Sequence, residues 1–215
     1  MSTRVHTSKT SASQIATTAM LGAVATILMI LEFPIPFLVP PFVKMDFSEL
    51  PALLAAFSMG PISGIAVCFI KNLIHALVSS SGYIGELCNF MLGCCFVVPA
   101  GLIYHIRKSR TNALIGALVG ALCMALISIP VNYFITYPFY MIKFGLSQEI
   151  ILYMYQDVVN LTGSIIPFVK GMLAWTDNLF TCLIVFNAPF TLLKGLLTAA
   201  LTFLVYKPLS PLLHK

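Results

Sequence analysis

Six apolar runs, separated by short polar or proline-bearing stretches, organise this chain. The first covers about 15–33 and stops at "FPIPFLVPP", where prolines withdraw amide hydrogens and clash with a continuing helix. The second, "SELPALLAAFSMG" (48–60), rises only about 20 Å at 1.5 Å per residue, against roughly 30 Å of bilayer hydrocarbon, so it crosses with help from its neighbours. Ser48 stands where an N-cap belongs, and Pro51 falls in the first turn, where amide hydrogens are free anyway. The third and fourth runs cover about 62–79 and 86–106. The fifth begins near 113, and we take its span to about 137; the run continues past Pro130 and Pro138 to about 144, too long for one straight crossing, so a bend or an exit is expected at those prolines. Residues 145–181 mix apolar positions with Glu149, Asp157, Lys170, Trp175 and Asp177, a pattern suited to an ordered external loop or an interfacial helix. The sixth run covers about 182–206.

Composition turns these runs into membrane spans. Of 215 residues, 59% are hydrophobic and 9% charged, whereas soluble domains carry about 25% charged residues. The expected fold is therefore an all-α integral membrane protein: six transmembrane helices in one bundle, a single domain over 1–215 with no separate soluble part. The polar start, "MSTRVHTSKTSASQ", lacks a small-residue cleavage site, so the first run reads as a retained helix. Six spans put both termini on one side, with Arg4, Lys9, Arg107, Lys108, Arg110, Lys207 and Lys215; the opposite loops hold Lys44, Lys143 and Lys170. That asymmetry places the termini in the cytoplasm. All seven acids (Glu32, Asp46, Glu49, Glu86, Glu149, Asp157, Asp177) then fall on the outer side.

Within this frame the intramembrane polar residues gather at one depth. Lys71 and His75 stand at i and i+4; Glu86, Asn89 and Gly93 at i, i+3 and i+7; Asn187, Thr191 and Lys194 at i, i+4 and i+7. Each set occupies one helix face, and Glu49 adds a carboxylate at the outer end of the second span. Polar groups in lipid turn towards the bundle interior. Three such faces imply a cavity in the outer half, opening outward and closed inward, because the inner halves ("LLTAALTFL") are apolar and a pore needs polar lining throughout. The competing reading makes them ties between helices, Lys71 to Glu86 and Lys194 to Glu49. Asn72, about 100° round the helix from Lys71, reads as a packing residue.

Small residues form a separate pattern. Ala12, Ala16, Ala19 and Ala23 in the first span, and Gly116, Ala117, Gly120, Ala121 and Ala125 in the fifth, allow helices to approach closely. The six cysteines lie in apolar runs, with no CxxC pair and no metal-ligand spacing to a histidine. No GxxxxGK[ST], HExxH or GxSxG occurs, so neither a P-loop, a zinc protease nor a nucleophile elbow is encoded, and no catalytic residue is assigned. The net charge of +5 follows from topology and gives no ground for nucleic-acid binding.

Three stretches, "KMDFSELPALLAAFSMGPISGIAVCFIKNLIHAL" (44–77), "GELCNFMLGCCFVVPAGLIY" (85–104) and "NAPFTLLKGLL" (187–197), resemble the riboflavin-specific substrate-binding (S) components of energy-coupling factor (ECF) transporters, the RibU type. The resemblance runs in order through nearly the whole chain and is least typical over 145–181. It implies a multi-pass protein of the bacterial cell membrane that binds one vitamin near the outer surface. It also implies docking on a transmembrane coupling subunit with two cytoplasmic ATP-binding subunits. Riboflavin is then the transported ligand and no cofactor is required. The family's alanine motif maps onto Ala19 and Ala23, and its ligand-binding lysine onto Lys194. Thr191 departs from the asparagine expected three residues before that lysine, and Asn187, one turn earlier, is the substitute. The substrate-contact set is Glu49, Lys71, His75, Glu86, Asn89, Asn187, Phe190, Thr191 and Lys194, with Phe190 and Tyr133 as walls for a flat ring.

Other functions stay open on the sequence. One is an S component for another flat heterocyclic vitamin. Another is a self-sufficient proton-coupled carrier using Glu86, His75 and Lys71 as a relay, against which stands the absence of inverted repeats. An intramembrane enzyme is the third.

Overall fold

The computed structural model of this protein describes residues 12–79, 81–165 and 167–213, leaving aside the side chains of 165, 167–169 and 206–213. Arg4, Lys9 and Lys215, and the side chain of Lys207, used above for orientation, therefore lie outside what is described. The chain is mostly helical. Helix α1 (Ala12–Ile30) ends just before the proline cluster. A two-residue antiparallel pair, β1 (Phe33–Pro34) with β2 (Lys44–Met45), then closes the loop that follows. Short helices α2 (Glu49–Met59) and α3 (Pro61–His75) come next, then α4 (Ile84–Ile106) and α5 (Arg110–Val131).

Helix α2 is buried from Pro51 through Phe57 without a break. A helix apolar on every side belongs at the centre of its bundle, and α2 is enclosed by α1, α3, α4 and α9 (Ala188–Leu213). It turns into α3 at Gly60, whose φ of 105° is open to glycine and strained for any residue with a Cβ. The Ser48 hydroxyl does not cap α2. The Asp46 carboxylate does the local work instead, accepting the Ser48 amide hydrogen at 2.8 Å and the Ser48 hydroxyl as well.

The small residues of the fifth run are buried between helices: Gly116, Ala117, Gly120, Ala121 and Ala125. At Gly120 an added Cβ would fall 2.3 Å from the Phe96 carbonyl oxygen, so α4 and α5 are in backbone contact there. The alanines of α1 differ. Gly22, Ala25, Thr26 and Met29 face inward, while Ala12, Ala16, Ala19 and Ala23 are exposed.

The expected break after α5 takes another form. The helix neither leaves nor kinks away at Pro130. It passes through a π turn, Asn132–Thr136, into α6 (Tyr137–Phe144), which makes 35 helical residues from Arg110 to Phe144. A π turn lets a helix absorb the missing amide hydrogen of a proline without stopping. A second π turn, Leu183–Asn187, joins α8 (Leu179–Cys182) to α9. Four helical stretches are long and apolar enough to cross a membrane: Ala12–Ile30, Ile84–Ile106, Arg110–Phe144 and Leu179–Val205. Between α6 and α8 lie α7 (Gln148–Ile165) and a 3-10 stretch, Pro167–Trp175. Helix α7 is amphipathic, with Ile151, Tyr155, Val158 and Val159 buried at i, i+4, i+7 and i+8 against Val39, Met45, Leu179 and Leu183. A second apolar cluster, including Phe57, Val97, Ala100, Ala117 and Ala199, fills the opposite end of the bundle.

Candidate functional site

Between the two clusters lies a cavity of about 780 Å³. Helix α3 contributes His75 to its lining, α4 contributes Glu86 and Asn89, and the last span contributes Asn187, Phe190, Thr191 and Lys194. The helical periodicity read from the sequence thus brings seven of the nine candidate residues to one space. Glu49 and Lys71 are not among its lining residues: they are 1% and 0% exposed and lie behind the wall.

The charges pair differently from the sequence reading. Lys71 Nζ donates to Glu49 Oε1 at 2.7 Å and also to the Ser48 hydroxyl; it does not reach for Glu86. Lys194 Nζ donates to Asp46 Oδ2 at 2.7 Å and stands 3.7 Å from Glu49 Oε2. Two ammonium groups and two carboxylates therefore form one neutral chain of charge at the base of the cavity. That balance is what makes their burial tolerable, since an unpaired charge there is costly. Burial alone would raise the Asp46 carboxyl. Lys194 and then Lys71 outweigh that effect and hold it well below the usual carboxylate range. Glu86 pairs with His75 instead, Nδ1 to Oε1 at 3.0 Å, and accepts from Ser81. The supposed relay of Glu86, His75 and Lys71 is thus divided between two separate pairs.

Lys194 lines the cavity even though it is paired. An ammonium carries three N–H donors, and Asp46 takes one. The others leave Lys194 able to donate to a ligand without losing its counter-charge.

The aromatic lining also needs correction. Phe190 is in place, but Tyr133 is 37% exposed, packs on Phe134 and Phe180, and does not line the cavity. Phe42, Tyr137 and Tyr140 line it instead, with the Phe42 ring edge-on to both tyrosines. Asn132 and Thr136 add polar lining from the first π turn. A signal for them was available: "VNYFIT" sets Asn132 and Thr136 four residues apart inside an apolar run, a fourth polar stripe. Nothing in the sequence marked Asp46 as the partner of Lys194, from which it is separated by 148 positions.

Tyr137, Tyr155 and Asn187 form a buried polar triangle at the cavity's side. Tyr155 Oη donates to Asn187 Oδ1 at 2.7 Å, Asn187 Nδ2 donates to Tyr137 Oη at 3.2 Å, and the two phenols hydrogen-bond each other. A smaller, almost wholly apolar hollow of about 230 Å³ lies behind Phe190, between α7 and α9.

Comparison with known proteins gives a consistent result. The family described as "ECF transporter, substrate-specific component" matches residues 13–206. A riboflavin transporter RibU of Staphylococcus aureus is 32% identical over 199 residues, covering 93% of this chain and 91% of the relative. A riboflavin transporter RibU of Streptococcus thermophilus is 30% identical over 215 residues, covering 96% and 87%. Among solved structures, one described as "Structure and mechanism of the S component of a bacterial ECF transporter" superposes with a TM-score of 0.67 at 29% identity, covering 94% of this chain and 98% of the other.

Proposed function

Since this chain belongs to the substrate-specific components of ECF transporters, we propose that it binds riboflavin in the cavity described above and delivers it inward with energy from partner proteins. The observation that carries this reading is the cavity itself. At about 780 Å³ it falls within the range of pockets for ligands of this size, roughly 300–1,000 Å³, and it combines apolar walls with a few placed polar groups. Riboflavin is neutral, with a flat tricycle whose carbonyls accept hydrogen bonds and a ribityl chain that both donates and accepts. The free donors of Lys194 suit a ring carbonyl, Phe190 and Tyr137 suit the ring faces, and Asn89 and Glu86 suit hydroxyls. Glu49 and Lys71 act one layer behind, keeping Asp46 and Lys194 neutralised and in place.

Six crossings are assigned to α1, α2, α3, α4, the α5–α6 helix and the α8–α9 helix, with termini in the cytoplasm of a bacterial cell and α7 lying at the outer surface. No covalent step is needed. The exposed face with Ala19 and Ala23 docks on the transmembrane coupling subunit, which in turn carries two ATP-binding subunits. Titration of purified protein with riboflavin, followed by quenching of flavin fluorescence, tests the ligand: saturable one-to-one binding is expected, and no quenching with no rise in melting temperature rejects it. Ala19→Trp is expected to leave that titration within twofold of wild type, because the site is remote, while abolishing riboflavin uptake by cells. Loss of binding in this variant would mean that the face packs within the chain. Uptake into vesicles that contain this chain alone, driven by a pH gradient, would favour a secondary carrier.

A further inference from the structure

We infer that Tyr155, a residue that does not reach the cavity, sets the orientation of the Asn187 amide and so makes this point of the site select a hydrogen-bond acceptor on the ligand. The inference rests on the riboflavin reading for the identity of the ligand, and on geometry alone for the amide. Helix α7 otherwise offers the bundle an apolar face: Ile151, Val158 and Val159. The Tyr155 hydroxyl is the exception, in a residue with no exposed surface, and a buried phenol needs a partner.

Each phenol has one proton. Tyr155 gives its proton to Asn187 Oδ1, so the hydrogen bond between the phenols is donated by Tyr137, which itself receives one from Asn187 Nδ2. Every member of this closed ring both gives and receives. The lengths distinguish the two amide orientations: 2.7 Å is the ordinary O–H···O distance and 3.2 Å lies at the long end for N–H···O. A flipped amide would place nitrogen in the short contact and oxygen in the long one. With Oδ1 held by Tyr155 and one N–H by Tyr137, the second N–H is the donor that Asn187 retains for the cavity it lines. A carbonyl or imine nitrogen of a flat heterocycle fits that donor; a ligand N–H at the same point does not. The ring also links α7 to α6 and to the π turn before α9, so the outer helix takes part in recognition without touching the ligand.

The test combines two measurements on wild type, Tyr155→Phe, Asn187→Ala and the double variant. Phenylalanine preserves the ring packed 5.5 Å from Phe186 and removes the hydroxyl alone. In ligand-free protein labelled with ¹⁵N-asparagine, the Asn187 side-chain amide resonances are expected to shift and to exchange faster in Tyr155→Phe. Riboflavin affinity is expected to fall about tenfold in Tyr155→Phe, but by less than about twofold when the same change is made on Asn187→Ala, since coupled neighbours are non-additive. An amide resonance unmoved by Tyr155→Phe overturns the inference. So does an equal loss of affinity in both backgrounds, because a tyrosine that merely supports the fold acts regardless of Asn187. If wild-type protein fails to bind riboflavin, the proposed ligand is rejected and the amide resonance alone decides the role of Tyr155.

Discussion

Lys71→Met is expected to be the most damaging single substitution in this protein, with a loss of roughly 3–5 kcal/mol of stability, the range found when one partner of a buried ion pair is removed. Lys71 has no exposed surface, and its ammonium is shared between Glu49 and the Ser48 hydroxyl. Methionine matches its length but leaves Glu49 with the more distant Lys194 at 3.7 Å. Two negative charges then face one positive charge. The effect is read as a fall in melting temperature of the purified, ligand-free protein. Glu49→Gln combined with Lys71→Met should recover most of the loss, because a neutral pair of similar volume is tolerated where a lone charge is not. A single variant as stable as wild type would show that water reaches Glu49, contrary to its burial.

Lys194→Met should separate binding from folding. We expect riboflavin affinity to drop at least tenfold, about 1.4 kcal/mol or more, because the ammonium is the one cation at the base of the cavity that both lines it and keeps donors free. The same change strands Asp46, so it also destabilises the apo protein. Adding Asp46→Asn restores charge balance: the double variant is expected to melt near wild type while still binding weakly. If affinity returns along with stability, Lys194 acts only as a tie between the last span and the loop before α2. If affinity never falls, it has no contact with the ligand.

These two lysines also mark how far the sequence could be read. Their burial was legible, since a charge inside an apolar run must turn inward, and helical spacing was enough to gather His75, Glu86, Asn89, Asn187, Thr191 and Lys194. Their partners were not. Asp46 sits on a loop whose path depends on the β1–β2 pairing and on Met45 and Val39 packing beneath α7, all long-range contacts. Tyr133 was chosen as a wall and Tyr137 overlooked because the π turn between them disturbs α-helical bookkeeping: an extra residue in one turn rotates everything beyond it by about 100°. The same applies to Asn187, the last residue of the second π turn. Local pattern predicts a face only while the helix keeps its period, and here both departures from that period border the cavity.

The shortness of α2 and α3 has a consequence for how the protein is made. With 11 and 15 residues, they rise about 16 and 22 Å at 1.5 Å per residue, and α3 carries a lysine near its far end. Neither satisfies the translocation machinery as an independent stop. The hairpin around Gly60 therefore has to partition as one body, with Lys71 neutralised by Glu49 before or during its passage into lipid. A nascent chain ended after residue 79 is accordingly expected to be washed from membranes at alkaline pH more readily than one ended after α4, which supplies the first wall long enough to hold the pair. Equal retention of both would mean that the hairpin lodges unaided.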